Sequence, residues 1–256
     1  MSNDKISKIL TVAFALCIVC SVIVSTAAVM LKPAQEANQA LDRKRNILAA
    51  AGMLEEGRSI DEQFAQIDTR IVDLRTGKFS DDLDVDSYDQ RAAAKDPSLS
   101  VKLSGDQDPA KILRREHYAT VYLAEDEGGD IEKIILPVHG YGLWGQLYGF
   151  IALEADGNTV AGLGFYEHKE TPGLGGEVDN PRWKNLWPGK QVYADGEVAI
   201  EVLKGAVDPA SSDLSYQIDG LAGATLTTRG VSNLVQYWLG ENGFEPFLAN
   251  LKTGEA

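Results

Sequence analysis

Three stretches of this chain gather small, turn-forming residues around a few groups able to hold a ligand. They are His139-Gly140-Tyr141-Gly142-Leu143-Trp144, Glu170-Thr171-Pro172-Gly173-Leu174-Gly175-Gly176-Glu177, and Asp219-Gly220-Leu221-Ala222-Gly223-Ala224-Thr225-Leu226-Thr227-Thr228. Glycine lets a main chain come close to a flat or anionic ligand, and loops at strand ends are where binding groups usually sit. Leu143 and Trp144 add apolar surface suited to a planar ring. The third stretch runs into a helix, whose first free N–H groups and positive dipole end favour a phosphate. Thr225, Thr227 and Thr228 bring hydroxyls there, and Arg229 a charge. Each threonine is a chemically competent phosphoester acceptor, and Thr227 or Thr228 could instead simply cap the helix. Spacing alone does not choose among them.

Other chemistries lack their signatures. His117, His139 and His168 are isolated along the chain, without metal-ligand spacing, so no metal site is expected. No Gly-x-x-x-x-Gly-Lys phosphate loop and no Gly-x-Ser-x-Gly elbow occurs. Gly162-Leu163-Gly164 lacks the third glycine and the following helix of a dinucleotide fingerprint. No catalytic residue is therefore expected in this chain by itself. A net charge of −14 makes nucleic acid and anionic lipid poor partners. Cys17 and Cys20 are the only cysteines and both lie in an apolar run, which excludes a disulfide scaffold for the rest. At i, i+3 their thiols share a helix face, fit for apolar packing or for half of an iron–sulfur site completed elsewhere.

The elements that must position these groups begin with Ile9 to Leu31, a stretch of about 23 residues with no charge, where a bilayer core needs about 20. Lys5, Lys8 and Lys32 flank it. Ser25-Thr26-Ala27-Ala28 offers small residues to a signal peptidase, but the run exceeds the ~7–15 residues of a signal core, so a retained anchor is expected. Flanking charge does not orient it. Ala34 to Ala51 reads as a helix, with Leu41, Ile47, Leu48 and Ala51 on one face and Gly52 as its stop, either continuing through Pro33 or standing as a stalk. Ser59-Ile60-Asp61-Glu62 matches a capping box, Ile71 to Leu74 a short strand before a Thr76-Gly77 turn, and the polar Ser80 to Pro109 surface loops with one short helix.

Tyr118–Ala124 and Ile131–Val138 form an expected hairpin around Gly128-Gly129-Asp130, and Tyr148–Glu154 and Thr159–Tyr166 another around Asp156-Gly157-Asn158. Val198–Leu203 reads as a strand, and Thr228–Leu239 as a helix with Val231, Leu234, Val235 and Trp238 on one face and Gly240 as its stop. The expected class is α+β: a single N-terminal transmembrane helix, then a soluble domain built on antiparallel β-sheet with flanking helices. The expected division is a short tail at 1–8, the span at 9–32, a stalk helix with peripheral helices and loops at 33–116, and the ligand-binding core at 117–256.

Asp219 to Thr225, the Glu170 to Trp183 segment and the His139 to Trp144 loop together resemble the covalent-FMN subunit of the sodium-translocating NADH:quinone reductases. The single span, the length and the Trp238-Leu239-Gly240 ending agree, so the resemblance covers essentially the whole chain. The Asp219–Thr225 motif is shared with the flavin-bearing subunit of the related ferredoxin:NAD-linked electron transport complex, which stays as the alternative. Readings from other classes are a bitopic periplasmic ligand-binding or sensor protein and a structural assembly subunit.

The resemblance implies FMN joined by a phosphoester to Thr225, placed there from FAD by a flavin transferase that reads Asp219, Gly223 and Ala224. It implies single-electron relay on the way from NADH to ubiquinone, other subunits as partners, and a periplasmic domain on a bacterial inner membrane. Thr171, Pro172, Gly173, Leu174 and Gly175 are expected against the ring, with Leu143 and Trp144 closing another side and Gly223, Ala224, Thr227 and Thr228 near the phosphate. One position departs from the family pattern: Ala222 stands where a Ser or Thr hydroxyl is usual.

Overall fold

The computed structural model describes residues 6–126 and 128–256; residues 1–5 of the expected tail lie outside them. The first element, α1, is one helix over Ile6–Ala50, so the apolar run continues through Pro33 into the amphipathic stretch. Proline removes one main-chain donor, a loss that the helix accommodates. Its side chains are exposed through Arg43, and an 18-residue window has a mean hydropathy of 2.6. The helix is thus long and apolar enough to cross a membrane, as in a single-pass protein. Gly52 ends it as expected: at φ +67° it lets Met53 N–H reach the Leu48 carbonyl at 2.8 Å and Gly52 N–H the Ala49 carbonyl at 3.1 Å.

Contacts divide the chain into a unit ending at Arg43 and a second, Lys44–Ala256. After α1 come α2 (Ile60–Phe64), β1 (Ile67–Asp73), β2 (Lys78–Phe79), α3 (Gln90–Ala93), β3 (Ser100–Lys102) and β4 (Arg114–Glu116). The long strands follow: β5 (Tyr118–Glu125), β6 (Ile131–Tyr141), β7 (Gln146–Glu154) and β8 (Val160–Glu167). Beyond them lie α4 (Pro181–Lys184), β9 (Tyr193–Ala194), β10 (Glu197–Val198), β11 (Glu201–Val202), β12 (Gln217–Ile218), α5 (Thr225–Leu239) and α6 (Glu245–Thr253). Six strands make one sheet in the order β2-β1-β5-β6-β7-β8, every neighbouring pair antiparallel. The α+β class and its antiparallel sheet stand as expected.

Alternation along each strand sends side chains to opposite faces, and here both faces are buried. Val121, Leu123, Ile134, Leu136, Ile151 and Leu153 share one core with Val231, Leu234 and Trp238 of α5. Tyr122, Ala124, Ile135, Phe150 and Ala152 pack on the other face with Ile47, Leu48, Ala50 and Ala51 at the end of α1. Two strands of this sheet, β1 and β2, come from the 33–116 segment expected to be peripheral, because β1 pairs along its whole length with β5.

Several local expectations give way to tertiary contacts. Ser59 precedes α2 but makes no capping hydrogen bond. Gln63, inside α2, instead ties down the preceding loop, accepting from Glu55 N–H at 2.8 Å and donating to the carbonyls of Glu55 and Arg58 at 3.1 Å. The 80–109 region contains the expected short helix, α3, capped by Asp89, but also β3 paired with β4, and its Gln90 is buried against Glu116 at 2.6 Å. Val198–Leu203 is not one strand: Ala199 and Ile200 N–H both turn to the Val192 carbonyl, splitting it into β10 and β11. Strand β6 runs on to Tyr141, so the glycine-rich 139–144 stretch is half strand, and only Gly142–Gly145 forms the turn into β7. Finally, α5 starts at Thr225, three residues before the expected Thr228.

Candidate functional site

Helix α5 lies along the end of β6 at contact distances that only glycine permits. A Cβ on Gly230 would overlap the Tyr141 carbonyl oxygen, and one on Gly140 would stand 2.5 Å from Leu234 Cβ. One turn further on, Trp238 Nε1–H donates to the His139 carbonyl at 2.7 Å. Residues 230, 234 and 238 form one helical row and meet 141, 140 and 139 in reverse order. The start of α5 is thereby carried to the β6–β7 turn.

The three glycine-rich stretches therefore converge, and Glu170, a residue to which the sequence assigns no role, ties them together. Its side chain is buried, the residue being 5% exposed. Its Oε1 accepts from the N–H groups of Leu143 at 2.9 Å and Trp144 at 3.0 Å, and its Oε2 from Thr227 Oγ1 at 2.5 Å. Cβ atoms on Gly142 and Gly175 would each stand 2.5 Å from a Glu170 carboxylate oxygen, so both glycines make room for the acid. His168 fixes the approach: its Nδ1 accepts from Glu170 N–H at 3.2 Å while Nε2 meets Asp179 Oδ2 at 2.7 Å.

The motif threonines now differ. Thr227 is fully buried and bound to Glu170; Thr228 is buried and accepts from Leu221 N–H at 3.0 Å. Neither caps α5, whose N-cap is Ala224 without any side-chain cap bond. Thr225 is half-buried at the first helical position, and among the described residues its hydroxyl has no protein partner. Thr228 N–H is the first bound within the helix, to Ala224 O at 2.9 Å, so among the described residues the N–H groups of Thr225, Leu226 and Thr227 stay free for an anion. Arg229, one turn after Thr225, is exposed and without an ion pair among the described residues.

Gly223 turns the chain into the helix at φ +73°. A Cβ there would also approach Leu174 Cδ2 to 3.2 Å, so the 171–176 turn lies over the Gly223 turn. Thr171, Pro172, Gly173 and Leu174 form the exposed part of that turn, closed by Leu174 and Gly176 N–H on the Thr171 carbonyl at 3.1 and 2.9 Å, while Gly175 is buried beneath. Leu143, Trp144, Leu174 and Leu226, on the three converging stretches, are 38%, 62%, 46% and 54% exposed, an apolar set of the kind a planar ring covers. A flavin phosphate on free N–H groups and a ring on that set fit the residues present.

Asp219 is occupied within the fold: its Oδ1 accepts from Val207 N–H at 2.7 Å and its carbonyl from Trp183 Nε1 at 2.8 Å. Ala222 is exposed, so a hydroxyl there would face solvent.

Comparison with known proteins agrees with this geometry. The FMN-binding domain family matches residues 142–240, which spans the β6–β7 turn, the 171–176 turn and α5. The chain is 55% identical over 260 residues to the C-subunit of the Na(+)-translocating NADH-quinone reductase of Pseudomonas aeruginosa, covering 100% of this chain and 99% of that one. It is 51% identical over 255 residues to the Vibrio vulnificus C-subunit, covering 99% and 98%. Among solved structures, the crystal structure of Shewanella oneidensis NqrC superposes with a TM-score of 0.75 at 37% identity, over 82% of this chain and 96% of that one. The C-subunit from Parabacteroides distasonis gives 0.67 at 28% identity, over 85% and 96%. The chain belongs to the NqrC family, the C-subunits of the Na(+)-translocating NADH-quinone reductases, as an FMN-binding, electron-transfer subunit that works with the other subunits of that complex.

Proposed function

We propose that FMN is held by a phosphoester bond to Thr225 Oγ1, and that the Lys44–Ala256 unit carries it on the periplasmic side of a bacterial inner membrane, anchored by residues 9–32. The observation that carries this reading is the inequality of the three threonines. The hydroxyls of Thr227 and Thr228 are buried and engaged, whereas Thr225 stands open at the head of three free N–H groups.

In the attachment step, a flavin transferase partner presents FAD. The Thr225 oxygen forms a bond to the phosphorus of the FMN half, the pyrophosphate bond breaks, AMP leaves with the electron pair, and the hydroxyl proton goes to solvent. The resulting diester carries one negative charge, which the α5 N-terminus stabilises by about 0.3–1 kcal/mol or more in a partly buried setting. Once bound, FMN supplies one-electron transfer. The chain's own part is to orient it: Gly223 brings the backbone close to the phosphate, while Leu143, Trp144 and Leu174 shield the ring from water. Asp219 supports the motif's shape for the transferase by pinning Val207 and Trp183.

Intact-mass measurement tests the attachment. The wild-type chain, Thr227→Val and Thr228→Val should each carry FMN less one water, and Thr225→Ala none; a flavin adduct on Thr225→Ala defeats the reading. Orientation is tested separately. A cysteine at exposed Ser212 should react with an impermeant maleimide in cells with a permeabilised outer membrane, and labelling only after lysis would reverse the assignment.

A further inference from the structure

Glu170 does more than fill space. Every contact to its carboxylate comes from a donor: two main-chain N–H groups on Oε1 and the Thr227 hydroxyl on Oε2. Two N–H groups converging on one oxygen select an acceptor that carries no proton there. None of the ion pairs among the described residues includes Glu170. Nearby His168 does not serve as its counter-ion, since the imidazole accepts the Glu170 N–H through Nδ1 and gives its other nitrogen to Asp179. A buried acid is ordinarily paired with a cation or a metal; this one is held by dipoles. Its charge is therefore locally uncancelled and, with water excluded, weakly screened.

The three segments that converge on it are those placed around the cofactor: the Leu143–Trp144 turn, the 171–176 turn through Gly175, and the first turn of α5. We infer that Glu170 is the positioning residue of the flavin site, a single carboxylate that fixes the mutual geometry of the three loops and whose charge lowers the flavin's reduction potential. The inference rests on the FMN reading given above. An electron added to a group beside a fixed negative charge is opposed by that charge, so the reduced form is disfavoured and the potential falls.

The substitution Glu170→Gln separates charge from shape. Glutamine can keep Oε1 on the two N–H groups and turn its amide toward Thr227, whose hydroxyl can accept instead of donate. In the full-length chain in detergent, spectroelectrochemical titration of E170Q should give a midpoint potential above that of the wild type, with the FMN mass unchanged. Glu170→Asp keeps the charge and should stay closer to the wild-type potential than E170Q. Thr227→Val leaves the charge but removes a donor that offsets it, so its potential should move downward, opposite to E170Q. Potentials for E170Q and E170D that are equal, or both at the wild-type value, overturn the inference. If E170Q carries no flavin, the Thr227→Val titration decides, and an unchanged or raised potential there overturns it. Failure of the attachment reading looks different, namely an FMN adduct surviving on Thr225→Ala whatever the potentials do.

Discussion

Gly230 offers the sharpest test of how the site is assembled, because two effects of known sign compete there. It lies in the interior of α5, where replacing glycine by alanine ordinarily stabilises a helix by about 0.8–1 kcal/mol. An added Cβ would, however, overlap the Tyr141 carbonyl oxygen and stand 3.0 Å from Gly142 Cα and 3.3 Å from the Tyr141 carbonyl carbon. All three are main-chain atoms of the β6 end and its turn, with no flexible side chain to swing away. Forcing a methyl group into such a contact costs about 1–3 kcal/mol, and the upper part of that range applies to backbone. Gly230→Ala should thus destabilise the chain by about 2 kcal/mol net, which for a unit of this size lowers Tm by roughly 4–8 °C. Urea unfolding followed by tryptophan fluorescence measures it, with Gly205→Ala, whose Cβ would meet nothing within 4 Å, as the neutral control. The methyl also pushes α5 from the turn bearing Leu143 and Trp144, so the flavin spectrum should shift. A Gly230→Ala chain that gains stability by the helix increment would refute the close approach of α5 to β6.

Three further outcomes follow from the same structure. Burial, aided by Arg91, lowers the pKa of His139 to about 4, whereas burial raises that of Glu116 to about 7. The His139 contribution is present above the unfolded value of 6.5 and lost as pH falls toward 4; that of Glu116 is present below 4.5 and lost as pH rises toward 7. At ~1.4 kcal/mol per pH unit each amounts to about 3 kcal/mol. The stability difference between wild type and Glu116→Gln should change with pH in the opposite sense to that for His139→Gln across pH 4.5–6.5, and flat difference curves would contradict both assignments. A fragment beginning at Lys44 should fold, whereas one beginning at Gly52 loses Ile47 and Leu48 from the sheet core, roughly 3–6 kcal/mol of burial; equal urea midpoints would contradict that packing. Trp144→Ala or Leu174→Ala should alter the flavin's absorption and potential without loss of the FMN mass, and unchanged values for both would remove these side chains from the ring.

Much of this molecule is written locally. The anchor candidate follows from composition, since a run from Ile9 to Leu31 without charge needs no partner to declare itself. The two hairpins follow from Gly128-Gly129-Asp130 and Asp156-Gly157-Asn158, whose residues favour tight turns whatever surrounds them; Gly129 and Gly157 adopt φ +86° and +62°. Apolar alternation in β5 to β8 announced a sheet, and Gly52 the end of α1.

Where a residue's partner lies far along the chain, the sequence was silent or misleading. Val198–Leu203 divides between two partners, Val198 pairing with Tyr193 but Glu201 and Val202 with Gln217 and Ile218, and Gln90 of the polar 80–109 region is buried against Glu116. The start of α5 was hidden because Thr225–Arg229 carries no apolar stripe, so periodicity begins only at Val231. The family resemblance points to Thr225, but residue chemistry alone could not rank it against Thr227 and Thr228 without knowing which hydroxyls the fold engages. Glu170 left no local trace at all, since its donors stand at Leu143, Trp144 and Thr227, up to 57 residues away. Turn chemistry and apolar period act over a few neighbours and survive in the unfolded chain. The partner of a buried carboxylate exists only after α5, β6 and the 171–176 turn have packed, so tertiary structure alone decides it.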